Sequence, residues 1–209
     1  MKICICTVLF ASILGSLVAP ASAFEVLGKV TLEPMDLPSP RPLAVGDELH
    51  WLKDGKSHIL TIDSRDEENN TSTFTNSDGC SWTTLTYQFA PSFSWNNCAG
   101  SSGTQKITKT KGTPWPLSVK TNFRYSFRGK RSDGGKPWTS TRKCKVTAQE
   151  RVKVPAGEFD TYKVVCSEKW NTRIWWVSPE LGHGVAFQRK HKTDSSRSYM
   201  NELVKIVNP

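Results

Sequence analysis

The chain has 209 residues, a formal net charge of +9 at pH 7 and six cysteines. This length accommodates one domain with a sizeable core, or two tightly packed subdomains. The excess of lysine and arginine favours anionic neighbours such as lipid head groups, lipopolysaccharide, acidic glycans or nucleic acid, although the same charge also serves simple solubility. No stretch beyond the N-terminal region is apolar enough to span a bilayer, so a membrane-spanning protein is not predicted.

The N-terminus has the three parts of a secretory signal peptide. Lys2 supplies a positive charge, residues 3–18 form an apolar run, and Ala21-Ser22-Ala23 is a small-x-small cleavage site. The alternative is an uncleaved membrane anchor, but the apolar run is short for a spanning helix and ends at Pro20. The sequence therefore predicts a signal peptide over residues 1–23, cleaved after Ala23, and a periplasmic or secreted protein.

The cysteines that remain after this cleavage predict disulfide bonds rather than a metal site. They are Cys80, Cys98, Cys144 and Cys166. An even number in an exported chain indicates disulfides, and four cysteines allow three pairings. We favour Cys80–Cys98 and Cys144–Cys166, because each pair lies within a local run of predicted strands. Zinc is the rival interpretation, but the chain has no CxxC spacing and no histidine near a cysteine. No metal and no cofactor are predicted.

The first half of the mature chain predicts an antiparallel meander. Residues 24–45 form a proline-rich lead-in, for which we expect an extended segment rather than a helix. A β domain then occupies residues 46–209, beginning with strands at 48–52 and 57–62 around the Asp54-Gly55 turn. Further strands are predicted at 71–75 and 80–89. The Gly/Ser/Thr/Lys stretch at 99–112 is the expected internal boundary if the domain divides into subdomains 46–100 and 112–209.

Two segments carry candidate binding residues. Residues 81–98 hold Trp82 and Trp95 among other aromatic residues and have little charge. Their rings suit a glycan or ligand platform, and the alternative is that they fill one end of the β core. In the second segment, Phe123, Tyr125 and Phe127 alternate with polar and basic residues, which places rings and cations on opposite faces of a strand. The predicted basic patch consists of Arg124, Arg128, Lys130 and Arg131.

That basic patch favours an anionic lipid or envelope polymer, with a merely solvated strand as the alternative. Nucleic acid is disfavoured, because the aromatic rings face away from the cations and cannot stack on bases beside them. The last third adds two hairpins and a closing strand at 198–207. In it, Trp175 and Trp176 point to opposite faces, so we expect one in the core and the other on a rim or groove.

The hairpin sequence VPAGEFDTYKVVC followed by WWVSPELGHGV resembles the C-terminal part of poorly characterised exported bacterial β-proteins, among them DUF3108-like chains. The resemblance covers about residues 144–190. It implies a strongly curved antiparallel sheet of the half-barrel or β-spiral kind, stapled by disulfides, in a bacterial cell envelope. It also implies a concave sheet that holds a lipid or peptide, and it carries no catalytic residues.

No catalytic motif is present, and the candidate catalytic residues are isolated in sequence. His50 and His58 flank one predicted hairpin and suggest a metal or acid–base pair. Glu158 and Asp160 suggest paired carboxylates, and Glu180 with His183 suggests a base and its partner. The alternatives are turn, surface and solvated roles for these residues. We therefore predict a non-catalytic envelope protein that binds a lipid, glycan or peptide, through the tryptophans Trp82, Trp95, Trp175 and Trp176. The alternatives are an interaction protein that uses its basic face and an uncharacterised hydrolase.

Overall fold

The structure is a computed structural model that describes residues 23–36, 43–86 and 89–208. The predicted signal peptide lies, apart from Ala23, outside the described residues. Within them the secondary structure consists of antiparallel strands and one short 3-10 helix, Ser195–Arg197, so the predicted all-β class is confirmed. The strands are β1 (Glu25–Lys29), β2 (Glu48–Lys53), β3 (Lys56–Asp66), β4 (Thr71–Asn76), β5 (Ser81–Leu85), β6 (Ser94–Cys98), β7 (Ser101–Lys111), β8 (Asn122–Arg131), β9 (Trp138–Val154), β10 (Gly157–Ser167), β11 (Asn171–Ser178), β12 (His183–His191) and β13 (Tyr199–Val207).

The long strand β9 closes the sheet. One of its edges pairs with β10, while the other edge pairs with β8 over residues 138–145 and with β1 over residues 150–153. From β10 the ladder runs through β11, β12 and β13 to β2, and then in chain order to β8. Among the described residues, β2 to β13 thus form a closed antiparallel ring of strands, which agrees with the strongly curved antiparallel sheet predicted from the sequence.

Two hydrophobic clusters lie on opposite faces of the central strands. Strand β11 shows this directly, because Ile174 and Trp176 belong to one cluster while Trp175 and Val177 belong to the other. Successive side chains of a strand point to opposite faces, so a strand buried on both sides is apolar throughout. The first cluster also contains residues of β8 and β10, and the second contains residues of β2, β3 and β4.

The two disulfides join the pairs that the sequence favoured. Cys80 and Cys98 are linked between the start of β5 and the end of β6, with an S–S distance of 1.97 Å. Cys144 and Cys166 are directly opposite each other on β9 and β10, with an S–S distance of 1.99 Å, and both are buried in the first cluster. The second disulfide therefore links β9, the strand through which the ring closes, covalently to β10.

Three segments differ in local detail from what the sequence led us to expect. Within the predicted lead-in, residues 25–29 form a strand, β1, on the edge of β9, while residues 37–42 lie outside the described residues. Residues 101–111, within the stretch 99–112 where a subdomain boundary was expected, form strand β7 of the continuous sheet, and the division into subdomains stays a prediction. The predicted strand at 80–89 ends at Leu85, and Phe89 instead packs in the first cluster against Trp175, at 5.6 Å between ring centroids.

A buried ion cluster secures the segment that contains Phe89. Arg142 donates from Nη1 to the Phe89 carbonyl oxygen at 2.7 Å and from Nε to Glu168 Oε1 at 2.5 Å. Arg173 Nε lies 3.3 Å from the same carboxylate oxygen. Burial and, to a smaller extent, the nearby charge of Arg173 lower the pKa of Arg142 to about 10. Burial raises the pKa of Glu168, but the charges of Arg142 and Arg173 and their hydrogen bonds outweigh burial, so that this pKa lies below its ordinary value.

Candidate functional site

The outward face of β7, β8 and β9 carries a continuous set of cations, which we name the basic surface. On β8 the burial alternates strictly, with Phe123, Tyr125 and Phe127 buried and the intervening residues turned outward. Strand pairing then aligns cations from three strands on that outward face. The basic surface consists of Lys106, Lys109 and Lys111 from β7, Arg124, Arg128 and Lys130 from β8, and Lys143 and Lys145 from β9.

Within the basic surface, like charges stand directly opposite one another. Arg124 is paired in register with Lys111 on one side and with Lys143 on the other, and Arg128 is opposite Lys106. Directly opposed residues have Cβ atoms about 4.5–5.5 Å apart, so these cations repel each other. No ion pair involves them in the described part of the chain.

The acidic residue nearest in sequence does not compensate this charge. Asp133 is the one Asp or Glu between residues 101 and 149. It lies on the hairpin tip and pairs with Arg131, at 2.5 Å from Nη2 to Oδ2. Arg131 was predicted to belong to the basic patch, but its position in the β8 alternation directs it away from Arg128 and Lys130. The structure therefore groups three of the four predicted residues and adds cations from β7 and β9.

A second candidate feature is a row of half-buried tryptophans across β5, β6 and the start of β9. Trp82 and Trp95 are directly opposite each other in the ladder. Trp138 lies beside Trp95 with 5.9 Å between ring centroids, and Phe74 stacks on Trp82 at the same separation. We name Trp82, Trp95 and Trp138 the tryptophan row. It brings together two of the four tryptophans that the sequence proposed as ligand-binding residues.

Glycines make the close approach of two of these rings possible. Gly103 is opposite Trp95 in the ladder, and Gly129 is opposite Trp138. A Cβ atom on Gly103 would overlap the Trp95 ring and the Lys130 carbonyl oxygen, and one on Gly129 would overlap the Trp138 ring. The indole rings thus lie over bare backbone, and the Trp95 Nε1 proton is donated to Ser101 Oγ at 3.2 Å.

Trp175 and Trp176 do not belong to this row. Both are buried, with exposed fractions of 5% and 3%. Trp175 packs against Phe187 at 5.1 Å, and Trp176 packs against Phe24 at 4.6 Å between ring centroids. The expectation that one of the pair would cover a rim or groove is wrong for this structure, because strands β9 to β12 carry a core on each face.

Three candidate catalytic carboxylates meet at one open groove of about 490 Å³. Glu158, Asp160 and Glu180 line it together with Arg151. Asp160 is held by Arg151 through two hydrogen bonds of 2.7 and 3.0 Å, and these hold the pKa of Asp160 below its ordinary value. A carboxyl group with a lowered pKa is ionised at neutral pH and is a poor general acid. The lowered pKa therefore does not support a role of Asp160 as a general acid.

The histidines are not arranged as a site. His50 is opposite Ile59 and His58 is opposite Trp51, so the two histidines fall on different faces of their hairpin. His183 is buried, and its Nδ1 lies 2.6 Å from the Gly184 carbonyl oxygen. Burial lowers the pKa of His183 to about 4, so it is neutral at pH 7. No group of three or more His, Cys, Asp or Glu residues suited to a metal ion occurs in the described residues.

Comparison with known proteins finds solved structures that are similar to this one. No protein-family model matches the chain, so its resemblance to DUF3108-like proteins stays a prediction, and no curated protein matches it. Similar solved structures include the hypothetical lipoprotein YmcC from Escherichia coli, with 8% identity, a TM-score of 0.47, and coverage of 82% of this chain and 90% of that one. A candidate exported protein with a YmcC-like fold from Bacteroides fragilis has 11% identity and a TM-score of 0.40. A candidate lipoprotein from Parabacteroides distasonis has 11% identity and a TM-score of 0.42. Each of these two comparisons covers 84% of this chain and 100% of the other.

Some residues of both surfaces were missed in the sequence. The lysines of β7 were assigned to a boundary because Gly, Ser and Thr are frequent there, although TQKITKTK alternates in the manner of a strand. Trp138 follows Pro137 at the very start of β9, and no aromatic residue next to it in sequence indicates that it joins a row of rings.

Across the described residues, no helix has the length and apolar character needed to cross a membrane.

Proposed function

We propose that this protein is a non-catalytic, exported cell-envelope protein that binds an anionic polysaccharide through the basic surface. The observation that carries the proposal is the cross-strand alignment of like charges on β7, β8 and β9. Folding gains nothing from opposing Lys111, Arg124 and Lys143 across adjacent strands, because directly opposed like charges destabilise a sheet. A polyanion would relieve this repulsion on binding. The disulfides support a location outside the cytoplasm.

The geometry suits an extended ligand. Adjacent strands are about 4.8 Å apart, and outward residues of one strand repeat about every 6.8 Å. The basic surface therefore presents charges at a spacing comparable to the repeat of an acidic sugar chain. Exposed charges act over about 10 Å at 0.1 M salt, so several cations attract one polymer at once and the attraction weakens as salt is added.

The test measures binding of polygalacturonate, a polyuronic acid, to the mature protein and to the double reversal Arg124→Glu/Lys143→Glu. We expect the double reversal to weaken binding at least tenfold at 50 mM NaCl, and 500 mM NaCl to abolish binding by the unaltered protein. The matched control is Lys56→Glu/Lys190→Glu, which makes the same change in net charge at exposed lysines on other strands. Equal loss in both double variants, or binding that salt does not affect, would contradict the proposal.

A second candidate function is stacking of a glycan on the tryptophan row. It is favoured by the 5.9 Å approach of Trp95 and Trp138 above Gly103 and Gly129, because flat aromatic faces over bare backbone suit the apolar face of a sugar ring. The row consists of half-buried rings, and this distinguishes it from the buried pair Trp175 and Trp176.

The stacking hypothesis is tested with neutral oligosaccharides, which do not engage the basic surface. Titration of protein labelled with ¹⁵N at the tryptophan indoles should shift the Trp95 and Trp138 resonances, and Trp138→Ala should abolish the shift at Trp95. Trp170→Ala is the control, because Trp170 is 52% exposed and lies outside the row. Uniformly unchanged indole resonances at millimolar sugar would remove this candidate.

A further inference from the structure

The start of the predicted mature chain is built into the sheet. Strand β1 pairs with β9, with Glu25 opposite Lys153 and Val26 opposite Val152. One residue earlier, the Phe24 ring packs on Trp176 at 4.6 Å between centroids. The predicted cleavage point is therefore adjacent to residues that have fixed partners in the fold.

A buried carboxylate lies where this segment begins. Glu202 on β13 has an exposed fraction of 1%, and its Oε2 accepts a hydrogen bond of 2.8 Å from the backbone nitrogen of Ala23. In register, Glu202 is opposite Ala186 on β12 and Leu52 on β2, which are apolar neighbours. A buried carboxylate is costly unless hydrogen bonds or a positive charge stabilise it. A cation beside Glu202 would therefore contribute more than it would at the surface.

We propose that Glu202 binds the α-ammonium group created when the signal peptide is removed. Hydrolysis of the Ala23–Phe24 peptide bond by a signal peptidase consumes one water, leaves a carboxylate on Ala23 and leaves an ammonium group on Phe24. The Cα atoms of consecutive residues are about 3.8 Å apart. The new ammonium nitrogen of Phe24 is therefore one residue away from the Ala23 nitrogen that now donates to Glu202. An opposite charge within about 4–6 Å stabilises a carboxylate. Processing thus replaces a neutral donor at Glu202 with a charged one and completes the fold.

The first experiment is intact-mass analysis of the exported protein, for which we expect a chain that begins at Phe24. A different first residue overturns the proposal, whatever the protein binds. The second experiment uses the Phe24-initiated chain, with its amine free or acetylated, and measures the folding equilibrium constant by urea unfolding. Acetylation should lower this constant at least tenfold in the unaltered protein and less than threefold in Glu202→Gln. Glu180→Gln, at an exposed carboxylate, should retain the tenfold effect.

A third measurement covers the case in which Glu202→Gln does not fold. The rate at which an amine-specific reagent labels the α-amino group of the native protein is compared with the rate for a peptide that begins with Phe24. We expect labelling to be at least tenfold slower in the native protein, because its ammonium is paired with Glu202. Equal rates, or equal effects of acetylation with and without Glu202, overturn the proposal. Polysaccharide binding is assayed separately, so failure of the proposed function leaves these outcomes unchanged.

Discussion

Replacing Arg142 with methionine should lower the free energy of unfolding far more than removing an arginine from an ion pair at the surface. Arg142 has an exposed fraction of 5% and bonds to Glu168 and to the Phe89 carbonyl oxygen. Its removal leaves a carboxylate that is 11% exposed with Arg173 as its remaining cation, at 3.3 Å, and it also removes the donor to the Phe89 carbonyl. Removal of one partner from a buried ion pair costs about 3–5 kcal/mol.

The measurement is urea unfolding of the oxidised protein at pH 7, followed by tryptophan fluorescence. With a denaturant dependence of about 2 kcal/mol per molar urea, a loss of that size lowers the unfolding midpoint by roughly 2 M. Arg142→Met/Glu168→Leu should be more stable than Arg142→Met alone, because it leaves no unpaired buried carboxylate.

The matched control is Arg151→Met. Arg151 also forms a cross-strand pair with a carboxylate, Asp160, through two hydrogen bonds, but its side chain is 51% exposed. Water and salt screen such a pair, so we expect the midpoint to change little. If Arg142→Met and Arg151→Met lowered the midpoint equally, burial would not be what makes the first pair important, and the reasoning would be refuted.

Two further predictions concern pH and reduction. The pKa of His183 falls from 6.5 to about 4 on folding, so the unfolded chain takes up a proton before the folded protein does as pH is lowered. The stability that the neutral His183 gives is fully present above pH 6.5 and is lost as pH falls from 6.5 to 4. The free energy of unfolding should decrease by about 3 kcal/mol over that range. His183→Gln should flatten the fall in urea stability over that range, and an unchanged slope would exclude this origin. The half-buried disulfide Cys80–Cys98 should be reduced in the native protein before the disulfide in the core, as differential alkylation and mass spectrometry would show. Its loss should cost about 3 kcal/mol in the chain-entropy model, and simultaneous reduction of both bonds would contradict the expected order.

The fold was predictable where local chemistry determines it. Asp54-Gly55 has positive φ at both residues, as the hairpin prediction requires, and the alternation of residues 123–128 places rings inward as expected. Closure of the ring was not predictable. It depends on β9 pairing with β8 and β1 along one edge, and a long strand gives no sequence signal for a change of partner. The proximity of the cysteine pairs in sequence helped, because local hairpins bring such cysteines together.

The candidate sites were predictable in part for a related reason. A period of two reveals which residues share a face of one strand, so Arg124, Arg128 and Lys130 could be grouped. It does not reveal which strand lies beside them, so Lys111 and Lys143 could not be added until the register was known. The same limit explains the error on Trp175 and Trp176: alternation separates their faces correctly, but the second core that covers the other face comes from distant strands.

The arrangement of β8 and β9 suggests a division of labour between the two faces of the sheet. Their inward face holds the core disulfide and Arg142, which stabilise the fold, while their outward face opposes Arg124 to Lys143 and so costs stability. We therefore expect Arg124→Gln/Lys143→Gln to raise the free energy of unfolding by about 0.2–1 kcal/mol at low salt while it weakens polygalacturonate binding. Added salt should stabilise the unaltered protein more than this variant, because salt screens the repulsion. A variant that lost stability together with binding would instead show that these cations serve the fold, and the basic surface would then no longer stand as a binding site.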